Sequence, residues 1–194
     1  MAKKLYIGLG GAGINIIKTA SSKQISNENI LLVNTDQSSL DENTHYRSIL
    51  IGEQILNGHC AGGIRFGEKA IDESFSKIIN HIEENGFKQI IIIAGVGGGT
   101  GGNAVHLANK LLIYKLSVGL CLSDIFAFET GTVSDNAILA IKQAKKIKNK
   151  LLFLKIFRPA KLASESSITK DVNLADILDR LNHHICDFLG NLNP

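Results

Sequence analysis

Apolar positions along the chain form short runs that alternate with longer stretches of helical period. Leu5–Leu9 is an apolar run that ends in Gly10-Gly11-Ala12-Gly13. From Ile14 to about Ser22 the pattern turns helical, with Ile16, Ile17 and Ala20 on one face. Ile30–Val33 is a second strand pattern, closed by Asn34-Thr35-Asp36, and Ile49–Ile51 is a weaker third. Phe66–Glu84 has the spacing of a long amphipathic helix, with Ala70, Phe75, Ile78, Ile79 and Ile82 facing inward. Gly86 stands where a helix C-terminus prefers glycine.

Ile90–Ala94 is apolar at every position, as a strand covered on both faces requires. It hands over to Gly95-Val96-Gly97-Gly98-Gly99-Thr100-Gly101-Gly102, and a helical pattern follows from Asn103 to Lys115. Ser117–Leu122 and Leu151–Phe157 are further strand patterns, separated by a helix over Val133–Lys148. A last helix is expected from about Asn173 to Leu189. Alternating strands and helices predict an α/β fold, a three-layer αβα parallel sheet with right-handed crossovers. In such sheets ligands bind beyond the carboxyl ends of the strands. The unusual loops all fall at that rim: Gly10–Gly13, Asn34–Asp36, Gly95–Gly102, Phe126–Gly131 and Phe157–Pro159.

Composition narrows the field without deciding it. The 194 residues are 44% hydrophobic and 20% charged, which suits one globular domain. A net charge of +3 argues against nucleic acid as the partner, and Lys142–Lys150 reads as the solvated face of a helix. Cys60, Cys121 and Cys186 are too far apart for a metal cluster or disulfide framework, so a cytoplasmic setting is expected. The N-terminus lacks the apolar stretch of a signal peptide, and no run is long enough to insert into a membrane.

The glycine run is the strongest chemical signal. Without Cβ atoms a strand-to-helix turn can curl tightly and present its N–H groups to an anion. The helix N-terminus behind it adds partial positive charge. It is not a Walker A loop, because Asn103-Ala104 stand where Lys-Ser/Thr would be needed. Gly8-Leu9-Gly10-Gly11-Ala12-Gly13 also satisfies G-x-G-x-x-G, and Asp36 closes the next strand. That pair fits an NAD-binding Rossmann site, but it leaves Gly97–Gly102 without work and offers no hydride-transfer partner.

The ordered set GGAGIN, VNTD, AGG, GGGTGG and FAFE resembles the tubulin/FtsZ family, in particular the branch that comprises bacterial cell-division proteins. It covers the chain from about Leu5 to the last helix. The resemblance implies GTP or GDP as ligand, with Mg²⁺. Gly10, Gly11, Gly13 and Asn15 then match the loop that wraps the diphosphate. Asn34 and Asp36 match a loop near the phosphates and the metal region, and Ala61, Gly62 and Gly63 match the loop that senses the γ-phosphate. Gly97, Gly98, Gly99, Thr100 and Gly101 match the signature phosphate loop. Glu129 matches the acid that holds the ribose, and Asp176 matches the carboxylate that takes the guanine edge. No metal ligand is assigned.

Departures from the family pattern concentrate on the base. Gly62-Gly63 is followed by Ile64-Arg65-Phe66 instead of Asn-Pro, and no arginine follows Glu129. Phe157-Arg158-Pro159 replaces the family's Pro-Asn, and Val172 stands where a stacking ring is usual. The sequence stops at Asn193-Pro194. Against the family pattern, that implies a single GTP-binding domain over residues 1–194 without the second domain and the catalytic acid loop. The resemblance thus implies a GTPase relative that is deficient in hydrolysis alone. It would self-associate, or join a full-length family member, through its nucleotide face. A non-catalytic capping protein with a degenerate pocket and an NAD-binding protein remain as alternatives.

Overall fold

The computed structural model describes residues 2–21, 25–159 and 174–192. Ser22, Val172 and Asn173, which figure in the expectations above, lie outside them. The elements in chain order are β1 (Lys4–Leu9), α1 (Gly10–Ser21), β2 (Ile30–Asn34), α2 (Gln37–Asp41), β3 (Arg47–Leu50) and α3 (Glu53–Leu56). There follow α4 (Ile64–Glu84), β4 (Gln89–Gly95), α5 (Ala104–Ile113), β5 (Ser117–Ser123), α6 (Thr132–Ile147), β6 (Phe153–Phe157) and α7 (Leu174–Gly190). The six strands form one parallel sheet in the order β3-β2-β1-β4-β5-β6. The expected αβα architecture is therefore present.

Alternation along the central strands builds two cores. Leu5, Ile7 and Leu9 of β1 and Ile90, Ile92 and Ala94 of β4 face α4, α5 and α6. Tyr6 of β1 and Ile91 and Ile93 of β4 face the opposite way, toward Ile14 and Ile17 of α1 and Leu181, Ile185 and Leu189 of α7. Both faces are covered, which explains why β4 has no polar position between Ile90 and Ala94.

Helix α4 shows how local sequence sets its ends. Ala70, Phe75, Ile78, Ile79 and Ile82 are buried as the spacing predicts. At the C-terminus Gly86 takes φ +69°. The Gly86 N–H donates to the Glu83 carbonyl at 3.1 Å and the Phe87 N–H to that of Ile82 at 3.0 Å. That is the Schellman pairing, which a left-handed residue makes possible.

Four helices differ from the sequence expectation. Helix α1 begins at Gly10, not Ile14, because its first turn is made of glycine and alanine and carries no apolar signal. A short 3₁₀ turn, Gly101–Asn103, precedes α5 and delays its start to Ala104. The short α2 and α3 escape the pattern: one buries only Leu40, and the other is bracketed by left-handed Gly52 and Asn57.

Close packing fixes α1 on the sheet. A Cβ added at Gly13 would stand 2.3 Å from the Ile93 carbonyl oxygen. Gly13→Ala is therefore expected to destabilise the protein by about 1–3 kcal/mol or more through overpacking. Ile78→Ala, at a fully buried site, should cost about 2–5 kcal/mol. Ile113→Ala, at a site that is 77% exposed, should stay within about 0.5 kcal/mol. Urea unfolding of the three variants measures each value.

Candidate functional site

The carboxyl ends of β1, β2, β4 and β5 open into a cleft of about 640 Å³. Its floor is main chain. Gly10 and Gly11 open α1, and Gly97, Gly98, Gly99, Thr100 and Gly101 run beside them from the end of β4. The two glycine loops touch: a Cβ at Gly10 would lie 3.0 Å from the Gly101 nitrogen, and Gly10 itself takes φ +71°. Among the described residues, no acceptor takes the N–H of Gly97, Gly99 or Thr100. The first-turn N–H groups of α1 are likewise without intrahelical partners, as at every helix start. Two sets of unsatisfied donors thus share one concavity, which is the electrostatic character of an anion site.

The loops are tied by polar side chains that the motif reading did not single out. Asn136 of α6 donates to the Gly97 carbonyl at 3.0 Å. Asn103 donates to the carbonyls of Gly99 (2.7 Å) and Ile64 (2.8 Å), so the glycine loop is fastened to the start of α4. Thr35 and Thr100 share a buried hydroxyl–hydroxyl bond of 3.0 Å. Asn34 lines the cleft while its Oδ1 accepts the Thr35 N–H at 2.9 Å. Thr35 stands inside VNTD, but nothing in its neighbours signals a partner 65 residues away.

The cleft walls are mixed. Asp36 and Glu129 line it, and so do Ala61 and Gly62 on the β3–α4 side. Asp36 Oδ1 accepts from the Ser38 hydroxyl at 2.7 Å. Glu129 Oε2 accepts the Phe126 N–H at 2.7 Å, which fixes the shape of the Phe126–Glu129 turn. Phe126 and Phe128 stack with centroids 5.2 Å apart, and both face the cleft. Leu178 and Leu181 of α7 close the far side. The unpredicted Asp124 also lines it; it accepts the Ile125 N–H at 2.9 Å and lies 3.6 Å from Arg158.

Four residues expected at the site lie outside the lining. Gly13 serves packing against β4, Gly63 precedes α4 at its N-cap, Asn15 is exposed on α1, and Asp176 is exposed in the first turn of α7. Cys60 joins the lining as an exposed thiol, whereas Cys121 and Cys186 are buried. Among the described residues no group of three or more His, Cys, Asp or Glu side chains could cage a metal ion.

The strand order equals that of dinucleotide-binding folds, so topology alone leaves the Rossmann alternative open. Comparison with known proteins separates the two. The model of the "Tubulin/FtsZ family, GTPase domain" matches residues 3–155. The cell division protein FtsZ of Rickettsia conorii is 33% identical over 144 residues, which cover 70% of this chain and 31% of that protein. Cell division protein FtsZ 1 of Pyrococcus horikoshii is 28% identical over 175 residues, 88% of this chain and 46% of the relative. The chain thus spans less than half the length of either. Among solved structures, an empty FtsZ dimer from M. jannaschii superposes with a TM-score of 0.84 at 23% identity, over 99% of this chain and 54% of that one. With the family model matched from β1 into β6, the chain belongs to the tubulin/FtsZ family, within its GTPase domain.

Proposed function

We propose that the cleft binds a guanosine di- or triphosphate. The observation that carries this reading is the paired floor of main-chain donors: Gly97, Gly99 and Thr100 without acceptors, against the opening turn of α1. Phosphate oxygens satisfy such donors, and the dipole of α1 adds to the attraction. Gly10, Gly11 and Gly97–Gly101 take the diphosphate. Ala61 and Gly62, with Gly63 behind them, border a terminal phosphate. Thr100 contributes its N–H first, since its hydroxyl is shared with Thr35. Gly13 supports the phosphate loop through its packing, and Asn15 and Asp176 are assigned to the ligand by the resemblance alone.

Mg²⁺ fits this site only in the manner usual for nucleotide enzymes, through phosphate oxygens, water and one or two carboxylates. Asp36, beside the glycine floor, is the carboxylate proposed to hold it, with Asn34 next to it. The ion would neutralise phosphate charge. Glu129 keeps one carboxylate oxygen on its own turn and offers the other to a ribose hydroxyl. Asp176, two residues before the cleft-lining Leu178, is proposed to take the guanine edge. Self-association through this nucleotide face, or association with a longer family member, follows as a proposal from the family.

A thermal melting series with GDP, GTP, ATP and NAD tests the reading. Guanine nucleotides at a hundredfold excess over Kd should stabilise the fold by about 2.7 kcal/mol. No shift with GDP or GTP, or a larger one with NAD, overturns it. Thiol labelling gives a second readout: Cys60 should react readily and be shielded by GDP, while the two buried thiols stay inert. Gly98→Asp should melt like the parent, because Gly98 has open space for a Cβ and no positive φ. Its carboxylate on the floor should weaken GDP binding by more than about tenfold through like-charge repulsion.

A further inference from the structure

The outward face of α6 and the turn after it carry a charge imbalance that the cleft does not use. From Asn136 to Ile156 the chain has six lysines, at 142, 145, 146, 148, 150 and 155, and no acid. They exceed the net charge of +3 for the whole protein, so the remainder of the chain is net negative. Lys142, Lys145, Lys146, Lys148 and Lys150 are exposed, and among the described residues none forms an ion pair. A helix C-terminus favours one or two such cations through its dipole. That does not account for the apolar side chains beside them: Ile138 is 63% exposed, Leu139 42% and Leu152 53%.

We propose that this face docks the protein on an anionic lipid surface. Helical spacing places Ile138 and Leu139 on the same outward arc as Lys142, Lys145 and Lys146. Their buried counterparts Asn136, Ala137, Ala140 and Ala144 anchor the opposite side of the helix in the fold. Clustered lysines beside protruding aliphatic residues are the composition of an interfacial helix face, where charge attracts and the apolar groups enter the headgroup region. The net negative remainder is repelled by the same surface, which orients the molecule with α6 toward it. The patch contains lysines and no arginine or aromatic ring on α6, so it lacks the planar groups that read phosphate pairs or stack on bases. That favours a bilayer over a nucleic acid. Only the α6 N-terminal residues Thr132, Val133 and Asn136 line the cleft, so docking through the lysine end leaves the cleft open. No helix among the described residues is long and apolar enough to cross a membrane, so the contact is peripheral.

Cosedimentation of the full chain with vesicles tests this. Vesicles of phosphatidylcholine containing about one-third phosphatidylserine should pellet the protein, and pure phosphatidylcholine should not. Raising salt should release it. K142E/K145E/K146E should lower the vesicle affinity by more than about a hundredfold. Ile138→Ser should lower it several-fold at unchanged charge. Both variants should keep the parent's circular dichroism and melting, so loss of binding is not loss of fold. Equal pelleting by neutral vesicles, no pelleting by anionic ones, or full binding by the triple variant overturns the proposal. Tighter retention by duplex DNA or polyglutamate at the same salt overturns it as well.

Discussion

The site depends on main chain packed directly against main chain. At Gly101 an added Cβ would fall 2.3 Å from the Gly95 carbonyl oxygen, and at Gly67 it would fall 2.2 Å from that of Gly99. These contacts leave no room for even a methyl group. They draw the end of β4, the start of α1 and the start of α4 into one compact rim. Interiors are close-packed and yield little to added volume, so the geometry of the floor is inherited from the absence of side chains.

Polar ties then hold the rim in register. Asn103 binds carbonyls from two different segments, Asn136 holds a third, and the Thr35–Thr100 pair closes the back of the floor. Buried polar groups of this kind are stable because each finds a partner. What stays unsatisfied is a set of N–H groups on the solvent side of the floor. The arrangement gives the floor donors suited to an anion, although among the described residues no lysine or arginine lines the cleft.

Much of this was legible from pattern. The apolar run at Ile90–Ala94, the period of α4 and its glycine stop, and the two glycine loops at one rim all follow from local rules, and the structure has them. The start of α1 was hidden because a helical turn of glycines has no apolar period to betray it. The weak third strand, an edge strand, pairs over Arg47–Leu50, shifted from the apolar triplet, because its first two residues face solvent. The hydroxyl pair and the Asn136 tie join residues far apart in sequence, and no local pattern encodes them. Gly13 shows the limit of motif matching. It sits inside a ligand-binding signature, yet its neighbour is a strand carbonyl and not the cleft. Nor did a net charge of +3 reveal that one helix face holds more than the whole excess.

One consequence of the glycine contacts concerns how this cleft can vary. Gly13, Gly67, Gly99 and Gly101 are shut by neighbours under 3 Å, and Gly10 and Gly62 by their positive φ. Of the glycines that line the cleft, only Gly11 and Gly98 have both an ordinary backbone conformation and empty space where a side chain would begin. Divergence of the floor is thereby channelled through two doorways, while the exposed walls at Phe128 and Leu178 stay free to drift.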